Sequence, residues 1–184
     1  MQGAAPPERT PDLPGDTTAM RYVTSAIVAV FVVICLPVVA LAQGAADHEA
    51  ITELMWRYAR ALDTFNTEAY VALYTEDGEF NAGTPTKGRT ALRAMMDGLR
   101  GDRKPGDFSP SGLYHMTTDS WTEFVDATHA RHHTYWLTVR AGAGRGAGPG
   151  GGGPSIVAAG VGVDELVKVD GKWLIRLRNV APRD

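Results

Sequence analysis

Histidine is the side chain in this sequence best suited to move a proton near neutral pH, and three of the five histidines lie close together. They belong to a predicted strand that reads His129-Ala130-Arg131-His132-His133-Thr134-Tyr135-Trp136. Alternation along a strand places His132, Thr134 and Trp136 on one face, where they are predicted to contact a ligand. His133 lies on the other face from His132, and His129 is ~13 Å from His133, so the pattern of a metal site is weak. We therefore predict no metal site.

Other chemical patterns are missing from the sequence. No segment has the form of a serine-nucleophile elbow, a Rossmann glycine fingerprint or a Walker motif. The glycine-rich segment 142–154 lacks the Lys-Ser/Thr ending of a phosphate-binding loop, so we predict a flexible hairpin loop there. The single cysteine, Cys35, excludes an intrachain disulfide framework and a cysteine-rich zinc site. A formal net charge of −3 gives no support for nucleic-acid binding, and we predict no cofactor.

The first 42 residues are predicted to lie outside the folded domain. Residues 1–19 are rich in Pro, Ala, Thr and acidic side chains without apolar periodicity, so we predict a disordered leader. Because a signal peptide that starts at Met20 has the standard layout, the hypothesis is that translation starts at Met20, in which case this leader is not made. Residues 20–42 begin Met20-Arg21, continue as an apolar run and end Ala40-Leu41-Ala42, which predicts a secretory signal peptide cleaved after Ala42. The alternative is an uncleaved N-terminal anchor, which is then the only expected membrane contact. Both alternatives predict an exported domain, periplasmic or secreted.

The rest of the chain, residues 43–184, predicts one domain in which helices precede most of the strands. Apolar residues repeat with helical spacing from Ile51 to Leu62, which predicts a first helix capped by Asp47 and ending near Asp63. Further helices are predicted over 67–74 and 90–99, with a turn at Asp77-Gly78, a short strand at 79–81 and a loop over 100–112.

Four strands are predicted to complete the domain, at 113–125, 129–140, 156–169 and 172–180. Turn residues at 126–128, the glycine-rich segment and Asp170-Gly171 separate them, and Asp-Gly is a strong signal for a tight hairpin. Consecutive hairpins predict an antiparallel meander. Strands grouped apart from helices predict an α+β fold, with the helices on one face of a curved sheet.

Four short passages mark the ends of these predicted elements in a characteristic order. They are the Arg57-Tyr58-Ala59-Arg60-Ala61-Leu62-Asp63 segment followed by 70–74 and Asp77-Gly78; Lys87-Gly88-Arg89; Tyr114-His115; and Val169-Asp170-Gly171-Lys172-Trp173. In order and spacing they resemble the SnoaL-like domains of the nuclear-transport-factor-2-like superfamily, over about residues 47–181. The resemblance implies a cone-shaped, strongly curved mixed sheet wrapped by three N-terminal helices around a deep apolar pocket. It also implies a homodimer, and a ligand that is a small hydrophobic, aromatic or polycyclic molecule.

The resemblance also implies a catalytic set. In the dehydratases of this family, which include scytalone dehydratase and bile-acid dehydratase, an aspartate near the end of the first helix works with a histidine that opens a central strand. The matching residues here are Asp63 and His115, and Tyr58 matches a tyrosine earlier on the same helix. The implied reaction is a cofactor-free dehydration, isomerisation or cyclisation, in which His115 removes a proton beside a carbonyl and returns one to a leaving oxygen. Asp63 fixes the His115 tautomer, and Tyr58 donates a hydrogen bond to the developing oxyanion.

Each of these residues also has a purely structural interpretation. Asp63 is a common residue type at a helix end, Tyr58 lies in the middle of the apolar stripe, and His115 fits a half-buried strand position. Thr134 stands where a second catalytic histidine or acid is expected in the dehydratases. The alternatives are therefore a pocket that binds a ligand without chemistry, or a dimeric interaction domain, because this family is functionally diverse and its fold does not identify a reaction.

Two further residues, Trp121 and Arg178, are predicted to contact the ligand or line the pocket. Trp121, like Trp136, is large enough to form a pocket wall. Arg178, near the end of the chain, is predicted to meet an acidic ligand or to pair with Asp164 across the sheet, and a surface ion pair is the more frequent outcome.

Overall fold

The computed structural model describes residues 44–105, 112–142 and 152–181. The chain divides into two units, 1–44 and 45–184, and the fold and site below belong to the second. The predicted leader and signal peptide, and the centre of the glycine-rich loop, lie outside the described residues. Within the described ranges, no helix combines the length and the apolar character needed to cross a membrane.

Three helices and six strands make up the described domain, in an α+β arrangement. Helix α1 covers residues 44–63. The elements that follow are α2 (Thr67–Ala72), β1 (Tyr74–Asn81), β2 (Pro85–Lys87), α3 (Arg89–Arg100), β3 (Leu113–Phe124), β4 (His129–Arg140), β5 (Ser155–Val169) and β6 (Lys172–Asn179).

The six strands form one mixed sheet in the order β2-β1-β6-β5-β4-β3. The predicted antiparallel meander of β3, β4, β5 and β6 is confirmed. Strand β1 adds to it by pairing parallel to β6, and β2 pairs antiparallel to β1. The two end strands β2 and β3 do not pair with each other, so the sheet is not closed.

The tight turn between β5 and β6 is confirmed at Asp170-Gly171. Both residues have positive φ, 50° and 77°, as a two-residue hairpin loop requires. Glycine reaches this conformation without steric cost, and aspartate tolerates it better than most residues.

The region after α2 differs from the prediction. The second helix was expected to continue to residue 74, but it ends at Ala72, and Tyr74 begins β1 opposite Ile175. The expected turn at Asp77-Gly78 is instead a bulge inside β1, since the pairing advances from Tyr74 to Glu79 while β6 advances only from Ile175 to Leu177. A β-carbon on Gly78 would lie 2.9 Å from the Tyr74 Cβ, so the bulge needs glycine there.

Helix α1 begins at residue 44, earlier than expected, and Asp47 is therefore inside the helix and is not its cap. The Asp47 carboxylate accepts hydrogen bonds from Trp173 Nε1 at 3.0 Å and from Lys168 Nζ at 2.6 Å. These contacts hold the start of α1 against strands β5 and β6.

The hydrophobic core lies between the helices and the inner face of the sheet. Its members come from all three helices and from β1, β4, β5 and β6, and they include Ile51, Tyr58, Tyr70, Leu92, Leu166 and Ile175. Burial of these side chains fixes α1 across the sheet, which places the end of α1 beside the beginning of β3.

Candidate functional site

Asp63 and His115 are brought together where α1 ends and β3 begins. The Asp63 Oδ1 atom lies 2.7 Å from His115 Nδ1, and the same oxygen accepts the His115 backbone N–H at 3.1 Å. Asp63 is buried and the His115 side chain is one-third exposed. One carboxylate therefore fixes both the ring and the backbone of His115.

This contact determines which His115 nitrogen can act on a ligand. An ionised carboxylate only accepts hydrogen bonds, so the contact with Asp63 favours the tautomer with the proton on Nδ1. The other nitrogen, Nε2, then carries the lone pair. Among the described residues, no protein group forms a hydrogen bond to Nε2. His115 thus has the geometry of a general base whose second nitrogen is held by a carboxylate.

Two mainly apolar chambers have His115 in their linings. The first, which we name the sheet chamber, has a volume of about 200 Å³ and is lined by Tyr58, Trp136, Thr138, Ala158 and Arg178 together with other residues. The second, the helix chamber, has a volume of about 500 Å³ and is lined by Asp63, Phe65, Tyr70, Met95 and Leu99 among others. Leu62, Phe80 and His115 line both chambers.

Tyr58 lies in the wall of the sheet chamber and in a cluster of buried tyrosines. Its ring centre is 5.5 Å from that of Tyr70, whose hydroxyl lies 3.0 Å from the Tyr74 hydroxyl. Burial raises the pKa of Tyr58 above its usual value, while the charge of Arg178 acts in the opposite direction. The Tyr58 hydroxyl is therefore neutral at physiological pH and able to donate a hydrogen bond.

Arg178 does not form the surface ion pair that was expected to be its more frequent role. Its Nη1 contacts Asp164 Oδ2, and the side chains of both residues are almost completely buried. The guanidinium carbon also lies 4.9 Å from the centre of the Tyr58 ring. Pairing with Asp164 was one of the two predicted alternatives, and the pair is buried because both residues face inward. Arg178 also lines the sheet chamber.

His132, Thr134 and Trp136 share the inner face of β4, but only Trp136 lines a chamber. His132 is buried, with Nδ1 2.9 Å from Thr122 Oγ1. Thr134 Oγ1 is also buried and has no hydrogen-bond partner among the described residues. Neither His132 nor Thr134 lines either chamber, so their expected contacts with a ligand stay a prediction.

Trp121 was expected in the pocket wall, but the structure places it on the opposite face of the sheet. Its side chain is largely exposed and stacks on His133, with ring centres 5.0 Å apart. An irregular step between Thr118 and Trp121 shifts the alternation of β3, which turns Trp121 outward.

The buried state of His132 predicts an acid-dependent loss of stability. Burial, followed by the charge of Arg178, lowers the pKa of His132 from 6.5 to about 4. In the unfolded chain His132 binds a proton near pH 6.5, whereas in the folded chain it does so only near pH 4. The free energy of unfolding is therefore expected to fall as the pH falls from 6.5 toward 4. Relative to His132→Gln, the wild-type protein is expected to lose about 2–3 kcal/mol of unfolding free energy between pH 7 and pH 4.

Urea denaturation at the two pH values measures this difference. The exposed His129 on the same strand gives the control variant His129→Gln. If the free energy of unfolding changed between pH 7 and pH 4 by the same amount in His132→Gln as in His129→Gln, the assignment to His132 would be contradicted.

Two additional residues, Leu62 and Phe80, were not predicted as site residues. The helical stripe predicted that Leu62 is apolar and inward-facing, but its place between two cavities depends on packing between distant elements. Among the described residues, no group of three or more His, Cys, Asp or Glu side chains is arranged to hold a metal ion.

The sequence profile of the SnoaL-like domain matches residues 43–179. This chain belongs to the SnoaL-like domain family. The match covers the whole of the helix and sheet arrangement described above, and it confirms the expected family and α+β fold. No curated protein matches the chain.

Several solved structures are similar to this SnoaL-like domain. A Mycobacterium tuberculosis protein of unknown function is 28% identical, with a TM-score of 0.60, over 74% of this chain and 76% of that chain. A Novosphingobium aromaticivorans protein whose name proposes a scytalone dehydratase is 24% identical, with a TM-score of 0.58, over 76% and 85% of the two chains. An NTF2-like protein with a cystatin-like fold from the same organism is 22% identical, with a TM-score of 0.62, over 77% and 85%. The last two likenesses show the fold alone.

Proposed function

We propose that this SnoaL-like domain binds a small apolar carbonyl compound and catalyses cofactor-free proton transfer on it, as a dehydratase or isomerase does. The observation that supports the proposal most is the 2.7 Å contact between Asp63 Oδ1 and Nδ1 of His115, which lines both chambers. A buried carboxylate at this position stabilises the imidazolium that forms when His115 accepts a proton.

The proposed reaction begins with removal of a proton from the carbon next to the carbonyl. His115 Nε2 takes the proton, the electron pair of the C–H bond forms a C=C bond to the carbonyl carbon, and the π pair of the C=O bond moves onto the oxygen. The Tyr58 hydroxyl donates a hydrogen bond to the resulting enolate oxygen. In both reactions the enolate oxygen re-forms the C=O bond and its C=C pair moves along the carbon chain. In an isomerisation this pair shifts an adjacent C=C bond, and the far carbon takes the proton back from the imidazolium. In a dehydration it forms a new C=C bond to the β-carbon, whose C–O bond breaks as the imidazolium protonates the hydroxyl group that leaves as water.

The test uses a simple ketone with an acidic methylene group, deoxybenzoin, in heavy water. The protein expressed from the full sequence is expected to exchange the methylene protons for deuterium faster than buffer does, and NMR measures the rate. A rate equal to that of buffer, with deoxybenzoin shown to bind, would favour the alternative that the domain binds ligands without chemistry.

Export and dimerisation are also part of this proposal. The sequence pattern of residues 20–42 supports export, and N-terminal sequencing of the mature protein tests cleavage after Ala42.

Exposed apolar side chains on strands β3, β4 and β5, including Met116, Trp121, Tyr135 and Val161, support a homodimer formed through the outer face of the sheet. Light scattering is expected to give twice the mass of the chain, and a monomer would contradict the dimer.

A further inference from the structure

We propose that the ligand is an elongated molecule with two parts, which places one ring in the sheet chamber, a larger apolar group in the helix chamber and its reacting carbon beside His115. This inference rests on the proposed function, because it specifies the substrate of the same site. It is argued from His115, which lines both chambers, and from Tyr58, which lines only the sheet chamber.

Neither chamber alone contains all three groups of the proposed mechanism. Tyr58 lines the sheet chamber, Asp63 lines the helix chamber, and His115 lines both. A carbonyl oxygen that accepts from Tyr58 must lie in the sheet chamber. The carbon that loses its proton to His115 then lies near Leu62 and Phe80, which also line both chambers. The proposed ligand continues past these shared lining residues into the helix chamber, which puts its reactive position in the middle of the molecule.

The sheet chamber has a volume that suits a group about the size of a single ring. Its volume of about 200 Å³ is below the ~300–1,000 Å³ that is usual for a complete small-molecule pocket. Trp136 forms one wall, and its Nε1 donates a hydrogen bond to the Val161 carbonyl at 3.1 Å, which holds the indole in place.

Gly160 sets the position of that wall. A β-carbon on Gly160 would lie 2.5 Å from Trp136 Cζ2 and 2.7 Å from Cε2, so the indole rests directly on the backbone of β5. Any larger residue at position 160 must move the indole away from the strand, and the sheet chamber lies on that side. Gly160 and Trp136 are therefore the residues that determine how wide a ring the chamber accepts.

The helix chamber accepts a larger group and provides the way in. Its volume is about 500 Å³, and its lining includes the apolar side chains of Phe65, Met95 and Leu99. Leu99 is half exposed, so the chamber reaches the surface beside the end of α3. The guanidinium carbon of Arg103 lies 5.4 Å from the Phe65 ring centre at the same end.

Calorimetric binding of two ketones tests this inference without requiring turnover. Deoxybenzoin carries a ring on each side of its central carbonyl and methylene, whereas acetophenone carries one ring. The wild-type protein is expected to bind deoxybenzoin at least about tenfold more tightly, because the second ring buries additional apolar surface in the helix chamber. Equal affinities for the two ketones, or no measurable binding of deoxybenzoin, would overturn the inference.

Variants then assign each ring to a chamber. Gly160→Ala is expected to weaken the binding of both ketones about fivefold or more, because the displaced indole narrows the sheet chamber. Leu99→Trp is expected to weaken deoxybenzoin binding more than acetophenone binding. Gly153→Ala is the matched control, since among the described residues no atom beyond its chain neighbours lies within 4 Å of a β-carbon at that position. Unchanged binding in a folded Gly160→Ala protein would overturn the role of the sheet chamber.

A second variant covers the case in which Gly160→Ala does not fold. Trp136→Phe widens the same chamber and is expected to improve the binding of benzyl 2-naphthyl ketone relative to deoxybenzoin by about fivefold; no improvement would overturn the size limit. The outcome is distinguishable from that of the proposed function. If the ketones bind as predicted but no proton exchange occurs, the proposed catalysis is contradicted and the two-part ligand is supported. If exchange occurs but the ketones do not bind as predicted, the two-part ligand is contradicted and the catalysis is supported.

Discussion

Replacement of His115 by glutamine is expected to lower the rate of deuterium exchange in deoxybenzoin by about 10²–10⁴-fold, the usual contribution of general base catalysis. Glutamine preserves the size of the side chain and can still donate a hydrogen bond to Asp63, but its amide cannot accept the proton. The affinity for deoxybenzoin is expected to change much less than the rate, because both chambers keep their apolar walls. NMR measures the rate and calorimetry the affinity.

Asp63→Asn is expected to lower the same rate by at least about 10²-fold. The asparagine amide offers N–H groups as well as an oxygen, so it no longer requires the proton on His115 Nδ1, and it carries no charge to stabilise the imidazolium. Its oxygen can still accept the His115 backbone N–H that Asp63 now accepts at 3.1 Å, so the fold is expected to persist.

Asp170→Asn is the matched control for this change. Asp170 lies in the β5–β6 turn with φ of 50°, a conformation that asparagine also tolerates, and it lines neither chamber. Full exchange activity in a folded Asp63→Asn protein would contradict the mechanism.

The second large effect concerns the stability of the domain. Arg178→Met is expected to reduce the free energy of unfolding by about 3–5 kcal/mol above pH 7, because it leaves Asp164 as a buried carboxylate without its counter-ion. Total stabilities of small domains are only about 5–15 kcal/mol, so this loss is large. Adding Asp164→Asn to the Arg178→Met protein is expected to recover much of it by removing the unpaired charge.

The pH dependence of this loss has a defined sign. Burial already raises the pKa of Asp164 from 3.8 to about 6 in the wild-type protein, although Arg178 acts in the opposite direction, and removing Arg178 raises that pKa further. A raised folded-state pKa means that stability is present at low pH and is lost as the pH rises through that value. The cost of Arg178→Met is therefore expected to be smaller at pH 5 than at pH 8.

Arg176→Met gives the control for removal of an arginine from the same strand. Arg176 pairs with Glu165 at the surface, where an ion pair contributes at most about 1 kcal/mol. Urea denaturation of each variant measures the losses. A cost for Arg178→Met no larger than that for Arg176→Met would contradict the importance of the buried pair.

The sequence predicts those elements whose signals are local. The apolar stripe from Ile51 to Leu62 predicts α1, and Asp170-Gly171 predicts the last hairpin, because side-chain spacing and turn conformation are properties of short segments. The start of β1 cannot be predicted from a short segment. Tyr74 fits a helix or a strand equally well, and its pairing with Ile175, a hundred residues later, decides between them.

The candidate site shows the same division. The resemblance implied that Asp63 and His115 work together, and their side chains are in contact, whereas their catalytic role stays a prediction. Alternation placed His132 and Thr134 on the inner face, but whether such a residue reaches a cavity depends on what packs above it. The roles of Gly160 and Trp121 escaped prediction because a close backbone approach and a bulge leave no local pattern.

The most direct test of the Asp63–His115 base is ¹⁵N NMR of the His115 ring at pH 8. The geometry predicts that Nδ1 carries the proton of the singly protonated ring and that Nε2 carries none, and Asp63→Asn is expected to shift the proton toward Nε2. A wild-type ring with its proton on Nε2 would contradict the account, because the nitrogen that faces the ligand would then be unable to accept a proton.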